Sequence, residues 1–448
     1  MKTRRNILFL SVLTAVMLFS ISAYPATLEV GSGKTYSTIQ TAINVASTGD
    51  TILVYDGTYV ENINFPGKAI TVKAVNGPTS TMIDGNQQGS VVTFSPDGGA
   101  SSMLDGFTMT NGTGTFMDDM YMEGGGIVCD TSSPFITNCI IRGNSADLGG
   151  GIFCKFGSPH LTGCIIKNNN AEVRDGGGIF SAQATPAFVN CIISNNTSAG
   201  GGGGLFSISS ASAVIINCTI SNNSATYGGA GIESAVRSKL KIVNSILWGD
   251  MTNGQSEEIY ISDIVTSADV TYSDIQGGWS GTGNKNADPL FVGGVNYHLK
   301  SGSPCIDTGT SSGAPSTDIE GTPRPQGAGY DMGAYEYVPS TLITLSSFTA
   351  TPKAGKIIVQ WNTESETENA GFNLYRSDSE NGNYTKINTS LIPSKGSSTQ
   401  GANYEFVDTD VQNRKTYYYK LEDIDLSGTS TMHGPVNATP RLIYGIGK

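Results

Sequence analysis

The chain of 448 residues sets 26 Lys and Arg against 38 Asp and Glu, a formal net charge of −12. That balance argues against a nucleic-acid partner, which needs a basic footprint, and disfavours an anionic membrane surface. With 57 Gly, 38% hydrophobic and 14% charged residues, the composition is that of a turn-rich β protein with room for two or three domains.

Lys2, Arg4 and Arg5 precede an apolar run from Ile7 to Ala23, and Ala23 and Ala26 offer small residues for cleavage. This predicts a signal peptide over 1–26 and export through the Sec pathway, to a secreted or cell-surface destination. No later segment is long and apolar enough to span a bilayer, so no transmembrane span is expected after cleavage. Next, Ser37-Thr38-Ile39-Gln40 reads as a capping box, with Ile39, Ala42, Ile43 and Ala46 on one helical face. A short helix ending at Gly49-Asp50 would shield the open end of a sheet structure. Strands follow at Ile52–Tyr55, Ile70–Ala74, Val91–Phe94 and Met103–Met109, divided by Asp-Gly and Asn-Gly turns. The loop from Gly112 to Glu123 interrupts the rhythm with Asp118, Asp119, Tyr121 and Glu123. As the expected protrusion, it is the first place to look for a ligand-binding site.

From Gly124 the chain repeats. Gly-Gly-Gly-Ile/Leu runs start at Gly124, Gly149, Gly176 and Gly202, and a decayed copy starts at Gly228, giving steps of 25, 27, 26 and 26 residues. Each copy holds a cysteine (Cys139, Cys164, Cys191, Cys218, then Ser245) and, five residues later, an asparagine (Asn144, Asn169, Asn196, Asn223). A fixed period of this size, rich in β-formers and without helical spacing, predicts a parallel β-solenoid. Successive coils lie about 4.8 Å apart and stack identical side chains. Ile141, Ile166, Ile193 and Ile220 are expected to form an inward ladder beside the cysteines. The asparagines are assigned to an inside corner, and the glycines to positive-φ bends. Stacked cysteines pointing the same way make poor disulfides, so buried thiols are expected among the seven. No spacing suits a metal site.

The repeat fades after Asp250, although Ile259–Ile275 still alternates like strands. The expected plan is a β-helix over 27–275, a loop-rich closing segment over 276–338, a linker at 339–341, a β-sandwich over 342–440 and a tail at 441–448. The sandwich rests on Ile357–Trp361, Gly371–Arg376, Tyr384–Ile387, Tyr404–Val407 and Thr416–Leu421 as short strands around Trp361.

Three stretches resemble known families. Tyr36-Ser-Thr-Ile-Gln-Thr-Ala-Ile, Gly49-Asp50-Thr-Ile and Gly57-Thr-Tyr-Val-Glu61 are similar to the start of bacterial pectin-lyase-fold proteins. The Gly-Gly-Gly-Ile and Ile-x-x-Asn repeats resemble those of polymorphic outer-membrane proteins, a resemblance that implies a right-handed parallel β-helix. Tyr272-Ser-Asp-Ile-Gln-Gly-Gly-Trp279, Asp288-Pro-Leu-Phe291, Gly302-Ser-Pro-Cys-Ile-Asp307, Arg324-Pro and Tyr330-Asp-Met-Gly-Ala-Tyr-Glu336 resemble the choice-of-anchor Q module. That resemblance implies closure of a surface β-helix ahead of varied anchoring domains. Residues 342–440 resemble a fibronectin type III domain.

None of these families has one activity. A pectate-lyase-like enzyme would need calcium-binding carboxylates and a Lys or Arg base on one outer face. The carboxylates on offer are Asp118, Asp119, Glu123, Glu172 and Asp175; Lys155, Lys167 and Arg174 are the candidate catalytic bases. Arg142 stacks on Lys167, but Ser194 and Ser221 take that place in the next coils, leaving a mixed face. His160 could act as a base near Lys155 but reads more readily as a structural or exposed histidine; Arg324 with Asp318, Asp331 and Glu336 reads as a structural ion-paired clamp. The sequence therefore predicts a monomeric exported protein without cofactor. Its β-helix wall, with Asp118, Asp119, Tyr121, Glu123, Glu172 and Asp175 as ligand contacts, would bind an extracellular polysaccharide or cell-surface component without catalysis. The alternative is a polysaccharide lyase, with calcium, or a glycoside hydrolase.

Overall fold

A computed structural model describes residues 25–95, 102–117, 120–338, 343–366, 369–397, 400–425 and 430–441. Residues 1–24 of the expected signal peptide, Asp118, Asp119, the linker at 339–341 and 442–448 of the tail lie outside these residues. The fold is mostly β: a parallel solenoid over 27–275, then antiparallel sheets, with one short helix among the described residues.

A regular coil visits four strands. Ile127–Asp130, Phe135–Thr137, Ile140–Arg142 and Ser145–Ala146 make the first. One coil on, Ile127 pairs with Ile152, Phe135 with His160, Ile140 with Ile165 and Ser145 with Asn170, all in parallel. The four sheets so formed, named A to D in that order, hold eight, ten, nine and six strands. Ile141, Ile166, Ile193 and Ile220 line the lumen fully buried, each worth about 1.5–3 kcal/mol of burial. The cysteine row beside them is also buried and free, and its thiols donate to carbonyls of neighbouring strands, as Cys164 Sγ does to Ile136 O at 3.3 Å.

The asparagine row sits at the inside corner between sheets C and D. Each side-chain amide donates to the next Oδ1: Asn144 to Asn169, Asn169 to Asn196 and Asn196 to Asn223, all at 3.0 Å. Each also donates to a strand carbonyl of the preceding coil, as Asn196 does to Ile166 O at 3.0 Å. The ladder runs one step further than the sequence suggested, ending on Asp250 Oδ1 at 2.9 Å from Asn223.

The glycines do more than supply the expected positive-φ bends. The first of each triple has positive φ, 75° at Gly176. The second and third are small because the coils touch there: a Cβ on Gly177 would lie 2.3 Å from Thr197 O. In the decayed copy Leu205 faces Ile232, a step of 27, so Gly229-Ala230-Gly231 occupies the triple's place. The expected strand Met103–Met109 divides into Met103–Asp105 and Thr108–Thr110, turning at Gly106 with φ 84°.

The helix spans Ile39–Val45 and buries Ile39, Ala42 and Ile43 over the first coil. Its N-cap is Thr38, one residue later than the Ser37 capping box would place it. The missing partner comes from across the fold: Glu61 accepts from Ile39 N at 2.8 Å and Gln40 N at 2.9 Å. Gln40 then pairs with the backbone of Asn64, accepting at 2.7 Å and donating at 3.2 Å, which blocks the first edge of sheet A.

Residues 276–338 do more than close the end. The stretch around 279–285 covers the last coil, Tyr272 N donating to Thr282 O and Lys285 N to Ser273 O, both at 2.8 Å. The chain then runs back as a strap over sheet C, where Phe291, Tyr297, Met332 and Ala334 pack on Ile192 and Ile246. Corner asparagines hook it: Asn190 to Thr317 O at 2.7 Å, Asn217 to Asp331 O at 3.0 Å, Asn244 to Thr310 O at 2.7 Å. Arg324, ion-paired as expected, is also buried; it donates to Glu336 at 2.7 Å and to Gly333 O at 3.0 Å. The C-terminal sandwich sets Ile343–Lys353, Lys356–Glu366 and Asn403–Asp408 against a sheet of Asn369–Ser377, Tyr417–Asp425, Ser430–Ala438 and two short strands. Trp361, Phe372, Tyr404 and Tyr419 fill its core.

Candidate functional site

The loops that lead from sheet D back to sheet A vary most between coils. Two residues, Asp147-Leu148, separate Ala146 from the glycine triple in the first coil; four, Glu172-Val173-Arg174-Asp175, do so in the second. Above the shorter loop, Thr115–Phe116 and Met122–Glu123 form an antiparallel hairpin. Its returning strand is docked by Asp147: Met122 N donates to Asp147 Oδ2 at 2.9 Å, and Asp147 N to Met122 O at 2.8 Å. The longer loop therefore rises beside the hairpin. Arg174 donates to Tyr121 Oη at 2.5 Å, with its guanidinium carbon 5.0 Å from the ring centroid. Between hairpin and coils lies a groove of about 440 Å³, with Gln87, Asn111, Thr113, Met122, Asp147 and Glu172 among its walls.

The structure brings together some of the expected site residues and separates others. Tyr121 and Arg174 meet each other, and Glu172, two residues before Arg174, lines the groove. Glu123 does not present itself to a ligand: it is 2% exposed, because it pairs beside Leu148 as part of the sheet wall. Lys155 ends a strand of sheet A and Lys167 a strand of sheet C, so these two bases lie on different faces of the coil and share no site with Arg174. His160 is in sheet B, stacked on Phe135 with centroids 5.2 Å apart. Lys167 does face Arg142 and Ser194. Ser194 and Ser221 are buried, where the sequence placed them on an outer face; Tyr297 of the strap lies beside them, 3.4 Å from Asn195 and 3.2 Å from Asn222.

Asp175 turns from the groove toward the next loop, accepting from Gly201 N at 2.8 Å. There it meets a residue that sequence reasoning missed. Phe153, Phe180 and Phe206 stack on the outer side of sheet A, with centroids 5.3 and 5.6 Å apart, and Glu233 takes the next place in that row. Its carboxylate lies over Gly201 and Gly228, where a Cβ on either would be within 1.8 Å of Oε2. Burial first, then the charges of Asp175 and Glu257, push the Glu233 carboxyl up to about 7; burial likewise raises Asp175. The signal was present in the aligned repeats, as one acid in a column of phenylalanines. Tyr227 and Tyr260, 68% and 40% exposed, stand in the adjoining loop and strand.

These coils define a right-handed parallel β-helix, and residues 34–247 match the family model described as the right handed beta helix region. Among curated proteins, the amylopullulanase of Thermoanaerobacter thermohydrosulfuricus is 28% identical over 127 residues, 27% of this chain. The chain spans 8% of that relative's length. Among solved structures, pectin methylesterase PemA from Erwinia chrysanthemi matches 60% of this chain and 94% of its own at 14% identity, with a TM-score of 0.36. An Fn3-like protein from Clostridium thermocellum matches 23% of this chain and all of its own at 18% identity, with a TM-score of 0.16.

Proposed function

We propose that this is an exported bacterial protein, secreted or held at the cell surface, which binds an extracellular polysaccharide along the loop edge between sheets D and A. The carrying observation is the Tyr121–Arg174 contact. Two residues 53 apart in sequence meet only because a hairpin and a lengthened loop were both added to a regular wall at one place. Aromatic and guanidinium faces beside a groove lined by amides, a hydroxyl and carboxylates suit the apolar faces and hydroxyls of a sugar. The partial likeness to an amylopullulanase is in keeping with a carbohydrate ligand. The sandwich is read as a fibronectin type III-like module carried behind the binding edge.

A second reading, acid–base catalysis on the bound glycan, is favoured by Glu233, a carboxyl pushed up to about 7 next to Asp175. One experiment separates the two. The full chain is passed over a polysaccharide panel while retention and reducing-end release are both followed. Binding without product, weakened about tenfold (~1.4 kcal/mol) by Tyr121→Ala or Arg174→Ala, is expected. Retention unchanged in both variants would remove this site. Product that vanishes in Glu233→Gln would replace the binding reading with the catalytic one.

A further inference from the structure

Asp250 closes the asparagine ladder, and its surroundings are unusual for an acid. It is fully buried, and Glu258, 3% exposed, lies against it. Asp250 Oδ1 is used twice, accepting from Asn223 N at 2.6 Å and Asn223 Nδ2 at 2.9 Å. Oδ2 has no partner among the described residues and rests against Gly231, where a Cβ would be 2.8 Å away. The Asp250 amide points at Glu258 Oε2 at 3.4 Å, and Glu258 Oε1 accepts from Ser256 at 3.1 Å. Asn223 and Gly231 from the neighbouring coil and Ser256 from the hairpin face the pair as neutral groups. Glu258 is the titratable group facing Asp250, and no Lys, Arg or His pairs with either acid among the described residues.

Two buried carboxyls in contact without a cation cannot both be ionised, since each negative charge lacks solvent and the pair repels. We infer that Asp250 and Glu258 share one proton at neutral pH, and that this proton is the latch of the solenoid's last coils. The neutral acid is Asp250, whose Oδ1 accepts twice as an amide oxygen would, which leaves Oδ2 as the atom that carries the proton. Burial and the neighbouring charge raise both acids, in agreement with that assignment. A group raised in the folded state gives its full stability at acid pH and loses it as pH climbs through the folded value. Base therefore opens the pair. The hairpin of Met251–Thr252 and Gln255–Ser256 goes with it, and so does the loop it holds through Glu257 O, which accepts from Ala230 N at 2.9 Å. That loop carries Tyr227 and covers Glu233, so the latch sets the order of the C-terminal end of the binding edge.

Asp250→Asn continues the ladder with a permanently neutral amide and tests the inference in the full chain. Infrared spectra at neutral pH should show a protonated carboxylic acid band that Asp250→Asn removes. Hydrogen exchange of 251–262, corrected for its intrinsic pH dependence, should accelerate from pH 5 to pH 9 in the parent and stay flat in the variant. Glu258→Gln, which removes the neighbouring charge but leaves Asp250 buried, should move the acceleration to lower pH. Absence of the band, or equal acceleration in all three proteins, would overturn the shared proton.

Discussion

At the residue scale, identical neighbours make exceptions informative. Asn196 accepts from the backbone and side chain of Asn169 and donates to Ile166 and Asn223, so each member of the row is satisfied by copies of itself. Glu233 is satisfied by nothing comparable; it occupies a phenylalanine's place with a carboxyl. Its folded value of about 7 lies above the ordinary 4.5. Between those values the unfolded chain has lost the proton that the folded chain keeps, so stability falls as pH rises through that window. Glu233→Gln should match the parent in thermal midpoint at about pH 4 and exceed it at about pH 8. A constant gap at both pH values would show that burial there is not what holds the proton. Such residues were legible only after register was known: Phe206 and Glu233 correspond once Leu205 faces Ile232, a step of 27 that the glycine pattern misplaces by one.

At the element scale, what repeats could be read and what returns could not. The isoleucine, cysteine and asparagine rows follow from period alone, because each coil is covered by the next. The strap's path over sheet C depends on contacts such as Asn217 to Asp331, 114 residues apart, which no local pattern encodes. The same holds for Tyr121 with Arg174, and for Glu123, whose charge suggested exposure while its strand pairing buried it. Within the strap, Arg324 has no exposed side-chain surface and neither does Glu336. Removing one partner of a buried pair leaves the other uncompensated, at about 3–5 kcal/mol. Arg324→Ala should therefore free the strap, read as new proteolytic cleavage within 288–338 while the lumen of the earlier coils stays protected. Protection of the strap in that variant would mean the asparagine hooks suffice.

At the scale of the whole molecule, the solenoid and the sandwich each have a large core of their own among the described residues. The solenoid lumen and the sandwich interior share no buried residue, and they are stabilised differently: one by stacked coils, the other by aromatic packing around Trp361. Calorimetry of the full chain should show two unfolding transitions, with Trp361→Ala lowering one of them and leaving the other within a degree or two. A single transition shifted as a unit would show that the cores are coupled.

The hooked strap also bears on how such a protein can change length over time. Each coil meets its neighbours through the same rows, so duplicating or deleting one re-forms the same joints, and arrays of this kind drift readily in copy number. Here the drift is confined. Asn190, Asn217 and Asn244 meet fixed carbonyls on a single returning segment, which acts as a gauge for the coils it crosses. A coil gained among them would leave at least one hook facing the wrong partner. Growth and loss would be tolerated on the helix side of Asn190, the half that also carries the added hairpin, so variation in length would accumulate at the end where the hairpin stands.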